Sequence, residues 1–200
     1  MEAATGQRAI EGDKAARIVD AMRASVAARG AAGSTFDHVA QEAGVSRGLL
    51  HYYFGTKERL LAEVVRRDCE LRMQVIDEQL AGASSADDVM DGLVASLKQM
   101  VVDDPAFITL VFEMFTLSRR NPEIEVEFAE LLRRTRDHVA GLLAEKEAAG
   151  VLHLHEPADA VADVLFAMAD GVAMRMLTER DRDFGPSVVA GVRAIRALID

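Results

Sequence analysis

This chain of 200 residues has one cysteine and no long apolar run, and each shortage excludes a class of protein. Cys69 alone cannot build the disulfide framework that supports small secreted domains. No apolar stretch approaches the roughly 20 residues that a membrane-spanning helix needs. Residues 1–17 carry acidic side chains and lack the hydrophobic segment of a secretory signal. We therefore expect a cytoplasmic protein that does not enter a membrane.

Motifs for catalysis are also missing. The sequence has no phosphate-binding glycine loop, no serine elbow and no paired-carboxylate motif. His153 and His155 alternate with Leu154 in a spacing that could hold a metal, but the fuller ligand set of a known metal site is missing. We expect no enzyme activity, no cofactor and no metal.

Strand-like alternation is absent too, and apolar residues recur at helical spacing instead. Capping residues and prolines predict the helix starts, and glycines predict several of the ends. The sequence therefore predicts an all-α fold of about nine helices, preceded by a mobile arm at residues 1–12. The predicted helices are 13–29, two short ones within 35–53, 56–80, 85–102, 105–119, 122–149, 157–179 and 185–200.

The most informative segment is Thr35–Lys57, with the sequence TFDHVAQEAGVSRGLLHYYFGTK. Val39, Ala43 and Leu50 fall where two short helices that cross at a steep angle share a small core. This spacing predicts a helix-turn-helix unit.

Residues at the ends of these helices support the same interpretation. Gly44 follows the first helix, where a left-handed residue must turn the chain. Thr35 is the expected N-cap of that helix, although Ser34 with Asp37 also fits a capping box. Ser46 is the expected N-cap of the second helix, where its hydroxyl can accept from a free backbone N–H.

The second short helix has side chains suited to reading DNA. Arg47 can make a bidentate contact with guanine in the major groove, and Leu49 can pack on a thymine methyl group. Gly48 lets the backbone approach the duplex closely. His51 and Tyr52 can donate hydrogen bonds to phosphates, which fix the register of the protein on DNA.

Phosphate contacts are also expected at the start of the next helix. Thr56 and Lys57 combine a helix N-terminus with a lysine, which suits an anion. The predicted DNA-binding residues are therefore Thr35, Ser46, Arg47, Gly48, Leu49, His51, Tyr52, Thr56 and Lys57.

The net charge of −10 is unusual for a protein that binds DNA. Residues 1–60 contain eight basic and seven acidic residues, whereas residues 61–200 contain fifteen and twenty-six. The acidity therefore lies outside the helix-turn-helix segment. We expect affinity to come from specifically placed contacts and to fall steeply with salt.

The run Ala43–Leu61, AGVSRGLLHYYFGTKERLL, resembles the signature of the TetR family of transcriptional regulators. The family pattern is roughly T-x-x-x-I-A-x-x-A-G-V-S-x-G-x-x-Y-x-Y-F-x-x-K-x-x-L. Two departures concern positions that face DNA in the family: Leu49 stands for a common threonine, and His51-Tyr52 reverses a common Tyr-His pair. The resemblance implies a three-helix DNA-binding domain at residues 1–55 and a helical ligand-binding and dimerisation domain at residues 56–200.

In TetR-like proteins the helical body holds an apolar inducer site. Methionine and phenylalanine are frequent on the central helices here, and methionine adapts to ligands of varied shape. The same residues would also suit a plain core. They indicate a small apolar or aromatic effector, with candidate contacts at Met73, Met100, Phe107, Phe112, Phe115, Phe128 and Met168.

The last two predicted helices are rich in apolar residues, with alanine and glycine between them that allow close helix approach. Two such helices from each of two chains would form a four-helix interface around a twofold axis. The alternative is that they fill the core of their own chain. The predicted interface residues are Val161, Leu165, Met168, Val172, Val188, Val192, Ile195 and Ile199.

These features together predict a homodimeric repressor that binds a palindromic double-stranded DNA operator and is released by a small effector. The alternative is a small-molecule binding or carrier protein whose DNA-binding head has degenerated. A helical enzyme is a third possibility, and no residue-level motif supports it.

Overall fold

The computed structural model describes the backbone of residues 2–200 and the side chains from residue 13 onward. Within this range the chain forms nine α-helices and one π-helical segment, so the all-α prediction is confirmed. The sequence predicts a mobile arm at residues 1–12 and a first helix from residue 13, whereas the first helix already begins at Glu2. The side chains of residues 1–12 lie outside the described part of the chain. The helices are α1 (Glu2–Gly33), α2 (Phe36–Ala43), α3 (Arg47–Phe54), α4 (Lys57–Ala81), α5 (Ala86–Lys98), the π-helical segment (Gln99–Asp103), α6 (Pro105–Ser118), α7 (Pro122–Ala148), α8 (Ala158–Thr178) and α9 (Gly185–Arg196).

A kink at Gly30 interrupts α1. The backbone there has φ 72° and ψ 168°, which a residue with a side chain rarely adopts. The buried Ser34 hydroxyl donates to the Gly30 carbonyl at 2.9 Å and so satisfies a backbone acceptor that the kink frees. The long helical run of α1 therefore ends where the sequence predicts, directly after Arg29.

The chain divides into two compact units. The first unit comprises Met1–Asp68 and Thr109–Phe128, and the second comprises Cys69–Ile108 and Ala129–Asp200. Three helices, α4, α6 and α7, contribute residues to both units. The functional boundary near residue 55 stays a prediction.

In the first unit, α1 packs on α2 and α2 packs on α3. Val39 and Leu50, from the two short helices, are fully buried, and the apolar face of α1 is buried as well. The predicted small core of the helix-turn-helix therefore exists, and it fixes the direction of α3. Fully buried residues of this unit include Ile18, Met22, Val39, Leu50, Leu60, Val64, Leu110 and Ile124.

In the second unit, α9 contacts both α5 and α8, and its end differs from the prediction. The helix ends at Arg196 rather than at residue 200, because the following residues pair with the segment before α8. Leu154 and Ile199 form an antiparallel β-bridge, and the His155 N–H donates to the Leu198 carbonyl at 3.0 Å. With this pairing, Ile199 is buried in the hydrophobic core of the second unit.

Candidate nucleic-acid interface

The turn between α2 and α3 has the geometry that the sequence predicts. Thr35 has extended backbone angles, and its hydroxyl accepts from the His38 N–H at 3.3 Å, so Thr35 rather than Ser34 caps α2. Gly44 ends the helix in the left-handed region, with φ 65° and ψ 39°. Its N–H bonds back to the last turn of α2 and closes the helix.

The predicted capping bond of Ser46 is wrong. Ser46 occupies the N-cap position of α3 with φ −79° and ψ 147°, but its side chain makes no capping hydrogen bond. Ser46 is exposed at the start of the helix that is predicted to read DNA.

Most of the predicted DNA-binding residues lie at the surface. Thr35, Ser46, Arg47, Gly48, His51, Tyr52 and Thr56 are exposed, while Leu49 and Lys57 are partly buried. Tyr52 is 77% exposed, which is the largest value among the big apolar side chains of the described chain. An aromatic ring left so open in a folded helix is available for a partner.

Arg47 is paired in the free protein. Its Nη1 atom donates to both carboxylate oxygens of Asp37, at 3.2 Å and 3.0 Å. Asp37 lies in the first turn of α2 and both side chains are more than half exposed. The sequence suggested only a capping role for Asp37, because nothing local links it to a residue ten positions later.

Lys57, for which a phosphate contact is predicted, makes a hydrogen bond within the protein. Its Nζ donates to the Ala31 carbonyl at 2.9 Å, at the end of α1. The Ala31 N–H in turn donates to Glu113 Oε1 on α6 at 3.2 Å. Ala31 therefore connects α4 with α6 within the first unit. The lysine ammonium has three protons, so this bond leaves donors for a phosphate.

Two further predicted contacts are held by local bonds. The Thr56 hydroxyl accepts from the Arg59 N–H at 3.2 Å, which caps the start of α4. A His51 ring nitrogen lies 3.0 Å from the Gly55 carbonyl, and the ring stands edge-on to Phe36 with 4.8 Å between centroids. These bonds fix the direction of both side chains at the end of α3.

Arginines of the first 60 residues are neutralised by carboxylates. Among the described side chains in that range, each arginine has a carboxylate oxygen within 4.0 Å. The shortest of the exposed pairs in this group joins Arg59 of α4 to Glu123 of α7 at 2.7 Å, and its hydrogen bond raises the pKa of Arg59. The pairs are Arg17–Asp13, Arg23–Asp68, Arg29–Glu42, Arg47–Asp37 and Arg59–Glu123.

The residues predicted to bind an effector fall in both units. Met73, Met100, Phe107 and Met168 belong to the second unit, and Phe112, Phe115 and Phe128 belong to the first. Phe115 is 52% exposed on α6. The effector contacts at these seven residues stay a prediction.

In the second unit, the Phe107 ring makes a cation–aromatic contact. The guanidinium of Arg72 lies 4.2 Å from the centroid of the Phe107 ring, and Arg72 Nη2 donates to Asp104 at 2.6 Å. Asp104 directly follows the π-helical segment, which is a rare conformation that often occurs near functional sites.

The second unit also has an open cavity of about 410 Å³ at the start of α5. Its lining includes Asp87, Arg196 and Asp200, and Arg196 is bonded to Asp87. None of the predicted effector contacts lines this cavity.

The predicted interface residues on α8 and α9 divide into two groups. Val161, Ile195 and Ile199 are at most 4% exposed and belong to the core of the second unit, so they cannot form the outer surface of an interface. The other members are partly buried: Leu165, Met168, Val172, Val188 and Val192.

Three apolar residues on the same two helices are about half exposed. Val164 on α8 is 41% exposed, Met174 is 49% exposed and Val189 on α9 is 51% exposed. Asp170 lies on the same helix as Val164 and Met174, and loss of hydration raises the pKa of its carboxyl group. Val164, Met174 and Val189, together with the five partly buried residues, are called the α8–α9 face.

His153 and His155 stand on either side of the β-bridge. Their rings are 5.1 Å apart in an edge-to-face arrangement, and each lies near a carboxylate, Glu147 at 3.4 Å and Asp200 at 3.3 Å. Among the described residues, no group of three or more His, Cys, Asp or Glu side chains is placed to hold a metal ion. Likewise, none of the helices, as far as they are described, has the length and apolarity to span a membrane.

An exposed α3 that follows a capped turn is the geometry of a helix-turn-helix unit, which is typical of DNA-binding proteins. Comparison with known families agrees: residues 18–64 match bacterial regulatory proteins of the tetR family, and residues 86–200 match the C-terminal part of BetI-type transcriptional repressors. The chain belongs to the TetR family of DNA-binding transcriptional regulators.

Curated relatives carry the same functional description. The HTH-type transcriptional repressor AcnR of Corynebacterium efficiens is 23% identical over 180 residues, which cover 89% of this chain and 88% of AcnR. The HTH-type transcriptional regulator BetI of Rhizobium meliloti is 26% identical over 162 residues, covering 79% of this chain and 75% of BetI.

Solved structures share the fold. A TetR-family regulator from a Rhodococcus species superposes with a TM-score of 0.76 at 22% identity, over 94% of this chain and 98% of that one. A transcriptional regulator from Saccharomonospora viridis, solved in complex with choline, gives 0.72 at 22% identity, over 93% of this chain and 97% of that one.

Proposed function

We propose that this protein is a homodimeric, ligand-responsive repressor in the cytoplasm that holds a palindromic operator with two copies of α3. The observation that carries the proposal is the surface of the helix-turn-helix. Arg47, His51 and Tyr52 are exposed on a helix whose direction is fixed by the buried Val39 and Leu50. Exposed polar and aromatic side chains on a rigid support are what base and phosphate contacts require.

Roles for the individual residues follow from their chemistry. Arg47 reads guanine, Gly48 admits the DNA backbone and Leu49 packs on a thymine methyl group. Thr35, Ser46, His51, Tyr52, Thr56 and Lys57 contact phosphates and set the register. The N-terminus of α4 adds its partial positive charge at Thr56 and Lys57.

Dimerisation through the α8–α9 face is supported by its exposed apolar residues. Within the described part of the chain, Val164, Met174 and Val189 are 41–51% exposed, and a second copy would cover them. The twofold axis would place the two α3 helices roughly 34–36 Å apart, one turn of B-DNA. The core residues Val161, Ile195 and Ile199 would then pack beneath this face.

The effector is inferred to be apolar or aromatic rather than a quaternary ammonium ion. A cation of that kind is usually held by a cage of tryptophan and tyrosine rings. This chain has no tryptophan, and both tyrosines, Tyr52 and Tyr53, lie on α3. Phe107 already has Arg72 against its ring. A relative of the same fold, the FadR regulator of Bacillus subtilis, was solved with stearoyl-CoA, which has a long apolar chain.

Release of DNA would follow a population shift. An effector increases the population of the arrangement of the helical body that it binds more tightly. The ratio of its affinities for the two arrangements sets the size of this shift. Because α4 begins at the DNA-binding head and continues into the second unit, a tilt of α4 would change the spacing of the two α3 helices.

The test is a gel-shift and filter-binding series on duplexes selected from a randomised pool by the wild-type protein. Arg47→Ala should weaken binding about 5- to 100-fold and relax the preference at one base pair of each half-site. Lys57→Ala should weaken binding to all duplexes alike and reduce the dependence on salt.

The carrier alternative makes the opposite prediction. A protein with a degenerate head would select no sequence from the pool, and neither substitution would change its weak binding. Such a result, with ligand binding retained in calorimetry, would replace the repressor proposal with the carrier.

A further inference from the structure

The contact between Arg47 and Asp37 is the one ion pair in which a predicted base-reading side chain of the described chain takes part. It joins the first residue of α3 to the first turn of α2. Both side chains are exposed, at 58% and 66%, so the pair is not a device for holding a core together. An exposed ion pair contributes little to stability. Its position at the predicted DNA-binding surface points instead to a role in DNA recognition.

We propose that Asp37 is a positioning residue that sets sequence specificity by holding the Arg47 guanidinium ready for guanine. This inference rests on the proposed function. Arg47 uses only Nη1 for the two contacts with Asp37, at 3.0 Å and 3.2 Å. The Nε and Nη2 donors are not part of that bond, and two parallel donors are what a guanine edge accepts.

Pre-ordering the arginine improves the correct contact. A free arginine loses much of its rotamer freedom when it binds, whereas a side chain already restrained by Asp37 loses less. Because the pair is exposed and weak, it does not hinder small adjustments of the guanidinium when the duplex arrives.

The negative charge of Asp37 also lowers the affinity for DNA of any sequence. A carboxylate at the predicted DNA-binding surface repels phosphates whichever base Arg47 meets. The surrounding arginines reinforce this effect, since each described one in residues 13–60 already has a carboxylate within 4.0 Å. A nearly neutral head binds DNA of arbitrary sequence weakly, so discrimination depends on the few side chains that fit.

The experiment compares two substitutions that remove the same charge from the same helix. Asp37→Asn removes the partner of Arg47, while Glu42→Gln removes an acid of α2 whose described ion pair is with Arg29. The probes are a 30-base-pair duplex selected from a randomised pool by the wild-type protein and a scrambled duplex of equal composition. The measured quantity is the ratio of the two dissociation constants.

We expect Asp37→Asn to lower this ratio by about threefold for each head, and by about tenfold for a dimer, because an exposed pair restrains its arginine only modestly. Glu42→Gln should tighten binding to both duplexes equally and leave the ratio unchanged. Asp37→Glu, which keeps a carboxylate, should retain most of the ratio. In an Arg47→Ala background, Asp37→Asn should no longer change the ratio.

Three outcomes would overturn the inference about Asp37. A ratio that is equal in Asp37→Asn and Glu42→Gln would overturn the inference and leave the repressor proposal intact. An effect of Asp37→Asn that persists without Arg47 would also overturn it, because the residue would then act on DNA directly. A wild-type protein with no sequence preference at all would overturn both the inference and the proposed function. Circular dichroism and thermal unfolding of each variant establish that α2 is still formed.

Discussion

Gly44 shows how a single backbone conformation determines the DNA-binding surface. Its φ of 65° turns the chain between α2 and α3, and a Cβ atom built there would meet no neighbour within 4 Å. The requirement for glycine is therefore conformational, since left-handed backbone is unfavourable for residues with a side chain. Gly141, in the middle of α7, also has free space around it but has helical backbone.

These two glycines give a matched prediction for stability. Gly44→Ala should lower the free energy of unfolding by about 1–2 kcal/mol, because alanine must adopt a left-handed conformation. Gly141→Ala should raise it by about 0.5–1 kcal/mol, because alanine loses less backbone freedom in a helix. Equilibrium urea unfolding at one protein concentration measures both. Equal shifts in the two variants would contradict the assignment of conformational strain to Gly44.

At the scale of helices, Ala31 connects α4 and α6 through its own peptide groups. Its carbonyl accepts from Lys57 and its N–H donates to Glu113. The kink at Gly30 makes both groups available, because the backbone there leaves the helical hydrogen-bonding pattern. Within the first unit, a displacement of α6 would therefore act on the residue that anchors the start of α4.

The connection predicts a local change in hydrogen exchange. Glu113→Ala removes the acceptor of the Ala31 N–H, so exchange at that amide should rise by about tenfold, the equivalent of one lost hydrogen bond. Glu125→Ala is the control, because the ion pair described for Glu125 is with the exposed Arg119 at 3.4 Å. Exchange measured by NMR at Ala31 should be unaltered in that control. An unchanged rate in Glu113→Ala would mean that the bond does not protect the amide.

At the scale of the whole molecule, the proposed dimer would depend on exposed rather than buried apolar residues. Val164 on the α8–α9 face and Val126 on α7 are both exposed valines, at 41% and 70%. They share a side chain and a helical setting, but only Val164 lies on the face that we propose to contact a second copy.

Sedimentation velocity distinguishes these two positions. Val164→Glu should convert the dimer to a monomer and weaken operator binding by at least about tenfold, because a buried unpaired carboxylate is costly at an interface and one head alone binds weakly. Val126→Glu should leave both the mass and the DNA affinity unchanged. A monomer formed by Val126→Glu, or a dimer that survives Val164→Glu, would place the interface elsewhere.

The sequence by itself determined the features that depend on a few neighbouring residues. The left-handed Gly44, the end of the long helical run at Gly30 and the start of α6 at Pro105 are all readable, because each rests on backbone angles and hydrogen bonds within about four residues. For the cap of α2 the sequence left Thr35 and Ser34 open, and the structure shows Thr35. The run around α3 also indicated the TetR family, which the comparisons confirm.

Only the tertiary structure decided which side each apolar or charged residue faces. Val161, Ile195 and Ile199 have the same helical spacing as their neighbours, yet the β-bridge and the packing of α5, α8 and α9 bury them in their own chain. The pairing of Arg47 with Asp37 likewise depends on how α2 crosses α3. Periodicity shows that a helix has an apolar face, but what covers that face is decided by residues far away in the sequence.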